Sequence, residues 1–431
     1  MKKLHVFSGL RDFFVLWGSQ TLSSLGTAMT NFALIIWVYG QGGTASSITS
    51  MTICSFLPTI LFRFIAGTFA DRWDKKRIML VSDLLAACGT LTILLLHSLS
   101  SLEIWHLYVI NFLLSLMNSF QVPAANVATG LLVPQEQYTR VSGLQSFAGS
   151  VVSILAPALG SVLLALGGLN VVLLFDLASF AVAFLTLLFS IQIPDGQQGG
   201  GQVPEPFWKS CMEGIRFLRN NAAVWRLILF FAAVNFLAKL GNDGMLPPFV
   251  LGKTDGDQNA LGLVQSAVAL GILAGSLFVT LMRPAKRKTT AIFVSCAITF
   301  LTGGVLLGLS GSLPLWMAAS FASYVPVAIL GANLTVIMRT RVPVQLQGRV
   351  FSARDTIQNG TIPLGLFLGG VLADYVLEPF MGTPSPVQQV LSSLFGTGKG
   401  AGIAVLFFIV GSLGAVMSIV ALRNPLYREL D

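Results

Sequence analysis

Apolar residues come in this chain in runs too long for any soluble element, and the runs follow one another almost to the end. A helix needs about 20 mostly apolar residues to cross a bilayer. Twelve segments meet that length: residues 13–39, 46–70, 78–98, 104–126, 140–165, 168–191, 223–250, 259–282, 289–310, 314–337, 347–377 and 401–422. Each must be helical, because lipid offers no partner to an exposed backbone N–H or C=O. A soluble domain carries about 25% charged residues, and here Asp, Glu, Lys and Arg make up 10%. The chain is therefore expected to be an all-α membrane protein of twelve transmembrane helices, with the lipid bilayer as its surroundings. Its net charge of +8 then reflects membrane topology and does not point to nucleic acid.

The rare charges are not scattered. On the twelve-segment reading every Lys and Arg falls on one side except Arg63, Lys239, Lys253 and Lys399. Such an excess marks the cytoplasmic side. With an even number of spans, both termini are expected in the cytoplasm and the protein in the cell membrane. Met1-Lys2-Lys3 precedes a first apolar run too long for a signal peptide and without a small-residue cleavage site. The densest charge cluster is Gly67-Thr-Phe-Ala-Asp71-Arg72-Trp-Asp74-Lys75-Lys76-Arg77, a turn between the second and third segments. Arg72 and Arg77 are expected to pair with acidic groups such as Asp83 or Glu136.

Residues 192–222 break the series. Asp195, the run Gly199-Gly200-Gly201 and two prolines read as a flexible linker. Phe207 to Arg219, with aromatics on one face and Lys209, Arg216 and Arg219 elsewhere, reads as an amphipathic helix on the inner membrane surface. The chain thus divides into 1–191, a linker at 192–222, and 223–431. The outer parts repeat: Pro134 to Arg140-Val141 aligns with Pro343 to Arg349-Val350 at an offset of 209 residues, and Gly160 then meets Gly369. Two six-helix repeats are a transporter signature, with the substrate site expected near the midplane where they meet.

Several chemistries are set aside. The four cysteines, Cys54, Cys88, Cys211 and Cys296, show no disulfide or metal spacing. Gly396-Thr-Gly-Lys399-Gly lacks the first Gly and the final Ser or Thr of a phosphate loop. No hydrolase elbow or zinc-protease motif is present. No enzyme, metal or cofactor is expected.

The spacing Gly67-x-x-x-Asp71-Arg72-x-x-Lys75-x-Arg77 resembles the loop between helices 2 and 3 of the major facilitator superfamily. Within it the chain looks like the bacterial macrolide and drug exporters. Three stretches carry that likeness: Trp17-Gly-Ser-Gln20 to Gly26 in helix 1, Ala156-Pro157-Ala-Leu-Gly160 in helix 5, and Gly348-Arg349-Val350-Phe351-Ser352 opening helix 11. The helix 5 stretch is a shortened antiporter motif, ending Gly160-Ser161, and helix 4 has no Arg around Asn111 to Pro123. The resemblance implies the major facilitator fold, a gate formed by Gly67, Asp71, Arg72, Lys76, Arg77, Gly348 and Arg349, and a hinge at Ala156, Pro157 and Gly160. Asp71 would latch onto the amino terminus of helix 11, where free N–H groups favour a negative charge. A simple helix cap is the plain alternative there, and close helix packing is the plain alternative for the Gly160 face.

Polar groups inside spans are costly and tend to be functional. The candidates are Gln20, Asn31, Asp176, Asn235, Lys239, Asp243, Asp355 and Asn359. Lys239 and Asp243 are four apart and should face each other. They are the first choice for proton coupling or substrate charge recognition, with Asp176 second. The expected function is export of an amphipathic small molecule, macrolide-like or a secondary metabolite, by alternating access and proton antiport, as a monomer. An importer or uniporter on the same fold, or a membrane sensor without transport, are the alternatives.

Overall fold

The computed structural model describes residues 2–42, 44–72, 74–133, 138–191, 215–281, 285–343 and 347–431. They are helical almost throughout. The chain divides into two compact units, one of residues 1–41 and 50–201, the other of 42–49 and 202–431.

The first unit is built from α1 (Lys2–Gly40), α2 (Ala45–Arg72), α3 (Lys75–Ser98), α4 (Ile104–Leu132) and α5 (Tyr138–Ser190), the opening residues of α2 excepted. The charged turn before α3 does local work. Asp74 caps α3 by accepting from the Arg77 N–H at 2.9 Å. Lys76 donates to the Leu188 and Ile191 carbonyls at 3.0 and 2.7 Å, the orphan acceptors at the end of α5. α5 runs through Pro157 and bends at Gly167 and Gly168. Gly168 has φ +69°, a left-handed conformation that side chains resist. α5 is thus two arms, and α1 packs on both: Gly160 lies against Met29 and Phe32, while Gly26 lies against Asp176 and Ser179.

The second unit contains α6 (Ala222–Leu240), α7 (Asn242–Lys253), α8 (Gln258–Leu281), α9 (Lys288–Phe300), α10 (Leu313–Arg341), α11 (Gln347–Asn359), α12 (Ile362–Leu372), α13 (Pro386–Phe395) and α14 (Ala401–Arg423). A π-helical stretch, Leu301–Leu306, continues α9, and another, Ala373–Leu377, continues α12. Its core joins Phe230, Phe231, Ile292, Phe293, Ile337, Met338 and Val350. Apolar side chains such as Leu277, Leu315, Val416 and Val420 stay exposed, as a lipid-facing surface requires.

Among the described residues, ten helices are long and apolar enough to cross a membrane. The two arms of α5, expected as separate spans, form one of these ten, and α2 runs partly through residues whose side chains lie outside the described ones. The segment after α12 also departs from expectation. Residues 378–400 read as a loop, yet Pro386–Phe395 is helical, capped by Ser385, which accepts from the Gln388 N–H. Gly396, Gly398 and Gly400 follow with φ of +77°, +81° and +85°. The alternating glycines therefore serve a left-handed turn. Lys253, an exception to the charge asymmetry, donates to the Phe395 carbonyl at 2.9 Å and so ties α7 to this turn.

Small residues bring the second unit's helices together. A Cβ on Gly411 would lie 2.7 Å from Gly304 Cα, the Phe300 carbonyl oxygen and the Val305 nitrogen. All three are backbone atoms and have no rotamer to yield. Gly411→Val is expected to destabilise by about 1–3 kcal/mol or more. A lower thermal midpoint in detergent checks this, with Leu413→Val, at an exposed position, as the neutral control.

Candidate functional site

A cavity of about 530 Å³ lies inside the first unit. Helical spacing explains what lines it. Residues seven apart stand two turns, or about 10 Å, along one face of a helix. Gln20 and Thr27 are so placed on α1, and Asp83 and Thr90 on α3. The cavity accordingly has two polar levels.

At one level Asp83, 2% exposed, accepts from Gln20 Nε2 at 3.2 Å and from Gln121 Nε2 at 2.5 Å. At the other Asp176, 1% exposed, accepts from the hydroxyls of Thr30 at 2.9 Å, Thr90 at 3.2 Å and Thr27 at 3.4 Å. Asn31, Asn111, Asn118 and Ser115 complete the polar wall. Ser115 bonds across to α2 through Thr59 at 2.9 Å. Among the described residues no Lys, Arg or His lines this space. A second chamber of about 280 Å³ shares Gln20, Ser24 and Ala125 with the first and is otherwise mainly apolar, walled by Phe13, Leu16, Trp17, Met79 and Val152. The pair of chambers can hold a molecule with an apolar body and a polar or positive end.

Asp176, Gln20 and Asn31 were legible as candidates, and the structure brings all three to one cavity. Asp83 was not. It was grouped with the partners expected for Arg72 and Arg77; among the described residues its oxygens accept from Gln20 and Gln121, while Glu136 and the Arg72 side chain lie outside them. The signal available was its position seven residues before Thr90 on an otherwise apolar helix. Closeness to the charged turn hid it.

Lys239 and Asp243 do pair, Nζ to Oδ2 at 2.8 Å. They do so across a break, because α6 ends at Gly241 and α7 begins at Asn242. A third member was not foreseen: the Tyr324 hydroxyl donates to Asp243 Oδ1. Asn235 donates to the Gln358 carbonyl at 3.0 Å and reaches Asn359 Oδ1 at 3.5 Å, which ties α6 to α11. Asp355 pairs with its neighbour Arg354 at 2.7 Å and is half exposed. These groups all belong to the second unit and line no part of the cavity above.

Lys76, as described, caps α5. The side chains of Gly67, Asp71, Arg72, Gly348 and Arg349, and residues 192–214 of the linker, lie outside the described residues, although α2 and α11 include the backbone of the motif positions. Gly160, in the first arm of α5, packs on Met29 and Phe32 of α1, and Ala156 and Pro157 one turn before it are buried. No group of three or more His, Cys, Asp or Glu among the described residues is placed to hold a metal ion.

Comparison with known proteins agrees with this architecture. The family model of the Major Facilitator Superfamily matches residues 16–366. Macrolide efflux protein A of Streptococcus pyogenes is 26% identical over 371 residues, covering 84% of this chain and 90% of that one. The multidrug efflux pump Tap of Mycolicibacterium fortuitum is 23% identical over 418 residues, 94% of each chain. Among solved structures, a bacterial homolog of the human lysosomal transporter Spinster superposes with a TM-score of 0.65 at 17% identity, over 98% of this chain and 97% of that one. The nucleoside transporter NupG does so with 0.67 at 12% identity, over 95% and 98%. The chain belongs to the major facilitator superfamily, a transporter family, and is a multi-pass membrane protein.

Proposed function

We propose that this transporter exports an amphipathic organic cation in exchange for protons, alternately exposing the cavity of the first unit to the two sides, with both termini in the cytoplasm. The observation that carries the reading is a pair of carboxylates, 1% and 2% exposed, in a cavity with no basic residue in its described lining. A cation entering there meets negative charge and hydroxyl or amide groups, while its apolar body fits the chamber beside Trp17. The names of the two efflux relatives support an outward direction.

Asp176 is the better proton carrier. A Thr hydroxyl donates to an ionised carboxylate and can accept from a protonated one. The cage of Thr27, Thr30 and Thr90 therefore holds Asp176 in either state. Asp243 is different, because its two oxygens already answer the Lys239 ammonium and the Tyr324 hydroxyl inside the second unit, away from the cavity. The first choice from sequence thus gives way to the second, and Lys239, Asp243 and Tyr324 act as a neutralised structural tie. Asp83, held by two amides, is the group offered to the substrate's charge.

The test uses inside-out membrane vesicles and a fluorescent amphipathic cation of fixed charge, beside a neutral molecule of the same shape. The cation should accumulate under an imposed pH gradient and discharge on adding a protonophore, and the neutral molecule should not accumulate. Accumulation that survives the protonophore, or equal transport of the neutral molecule, would contradict the proposal.

A further inference from the structure

α2 begins within the second unit and continues in the first. Its opening turn is held by a residue 329 positions away in sequence. Asp374 Oδ1 accepts from the Ala45 N–H at 3.1 Å and Asp374 Oδ2 from the Ser46 N–H at 2.6 Å. These are charge-assisted bonds to the positive end of a helix.

The surroundings are built for this contact. Asp374 lies in the π-helical stretch Ala373–Leu377. A π-bulge re-aims the side chains around it and recurs at functional positions. One turn earlier, a Cβ on Gly370 would sit 2.5 Å from Thr49 Oγ1 and 2.9 Å from Ser46 Cα, so only glycine lets α2 come this close. The Ser46 hydroxyl is shielded there and makes no hydrogen bond. Locally, α2 already has a cap: Thr44 Oγ1 accepts from the Ser47 N–H at 3.3 Å. Asp374 thus adds to a helix end that can stand without it. Both of its partners are backbone N–H groups that water can satisfy once the helix moves away.

A permanent tie would be served better by apolar packing or by the helix's own cap. A long-range carboxylate on an already capped helix, across a glycine-smoothed contact, suits a joint that opens and closes. We propose that Asp374 is a releasable latch. It holds the start of α2 in one state of the transport cycle and lets it go in another. The proposal rests on the transport reading for its purpose, but its test needs no substrate and no gradient.

The experiment replaces Ser46 with Cys in a chain whose Cys54, Cys88 and Cys211 are changed to serine. Cys296, 1% exposed, is kept as the internal control for loosening. The purified protein in lipid nanodiscs, open to solvent on both faces, is treated with a charged thiol reagent, and labelling at each site is followed by mass spectrometry. With Asp374 present, Cys at position 46 should label slowly. With Asp374→Ala it should label at least about tenfold faster, the scale of losing charge-assisted hydrogen bonds, while Cys296 stays unlabelled. Should Asp374→Ala not accumulate in the membrane, Asp374→Asn, which keeps one acceptor oxygen, should give a smaller rise at position 46 alone. An unchanged rate at position 46 would make Asp374 a static cap and overturn the proposal, and so would a rise at Cys296 as well. Failure of cation transport in vesicles would leave this labelling result untouched, so the two readings fail separately.

Discussion

Asp176→Asn is expected to abolish uphill export while leaving exchange intact. Vesicles carrying it should still swap labelled for unlabelled cation with no gradient applied. Under a pH gradient, net accumulation should fall by at least about tenfold, the scale of a coupling free energy of 1–3 kcal/mol. The reason is local. Asn keeps the size of Asp, and the amide can still bond to Thr27, Thr30 and Thr90, so the helix contacts of Gly26 with this position survive. What is lost is the one group in that cage that can take up a proton. Accumulation that persists with an unaltered pH profile would return the choice to Asp243.

Asp83→Asn should act on the substrate instead. Gln20 and Gln121 can turn their amides to meet an Asn side chain, so the wall is expected to hold. The cation loses a charged partner. Hydrogen bonds to charged groups contribute about 1.5–3 kcal/mol, and each 1.4 kcal/mol is tenfold in affinity. The KM for the fixed-charge cation should therefore rise about tenfold to hundredfold, with kcat little changed and a neutral competitor binding as before. Equal loss for cation and neutral competitor would show that Asp83 shapes the wall and does not read charge.

The two carboxylates also show how far the sequence reached. Lipid leaves a helix little choice, so the apolar runs located almost every element, and the family was legible in the turn from Gly67 to Arg77. Asp176 stood out because it sits deep in an apolar segment. Asp83 lies nine residues after Asp74 and was grouped with the surface charges, although a helix of that length carries it well inside. The Lys239 and Asp243 pair was legible from spacing alone. The break at Gly241 and the partner Tyr324 were not, since a tie between α7 and α10 leaves no local mark. Asp374 was passed over for the same reason. Its partners are backbone N–H groups, which no sequence pattern distinguishes. The helix at Pro386–Phe395 did carry a signal, Ser385-Pro386 at its start, but prolines and glycines around it read as loop.

Under this proposal proton and cation compete within one cavity, the proton carried by Asp176 and the cation drawn to Asp83. Direct measurement is possible on the purified protein in weakly buffered detergent solution. Adding the fixed-charge cation should release about one proton per bound cation, as reciprocal linkage requires, with no release on adding the neutral molecule and none from Asp176→Asn. Tight binding of the cation by the unaltered protein without any proton release would contradict the claim.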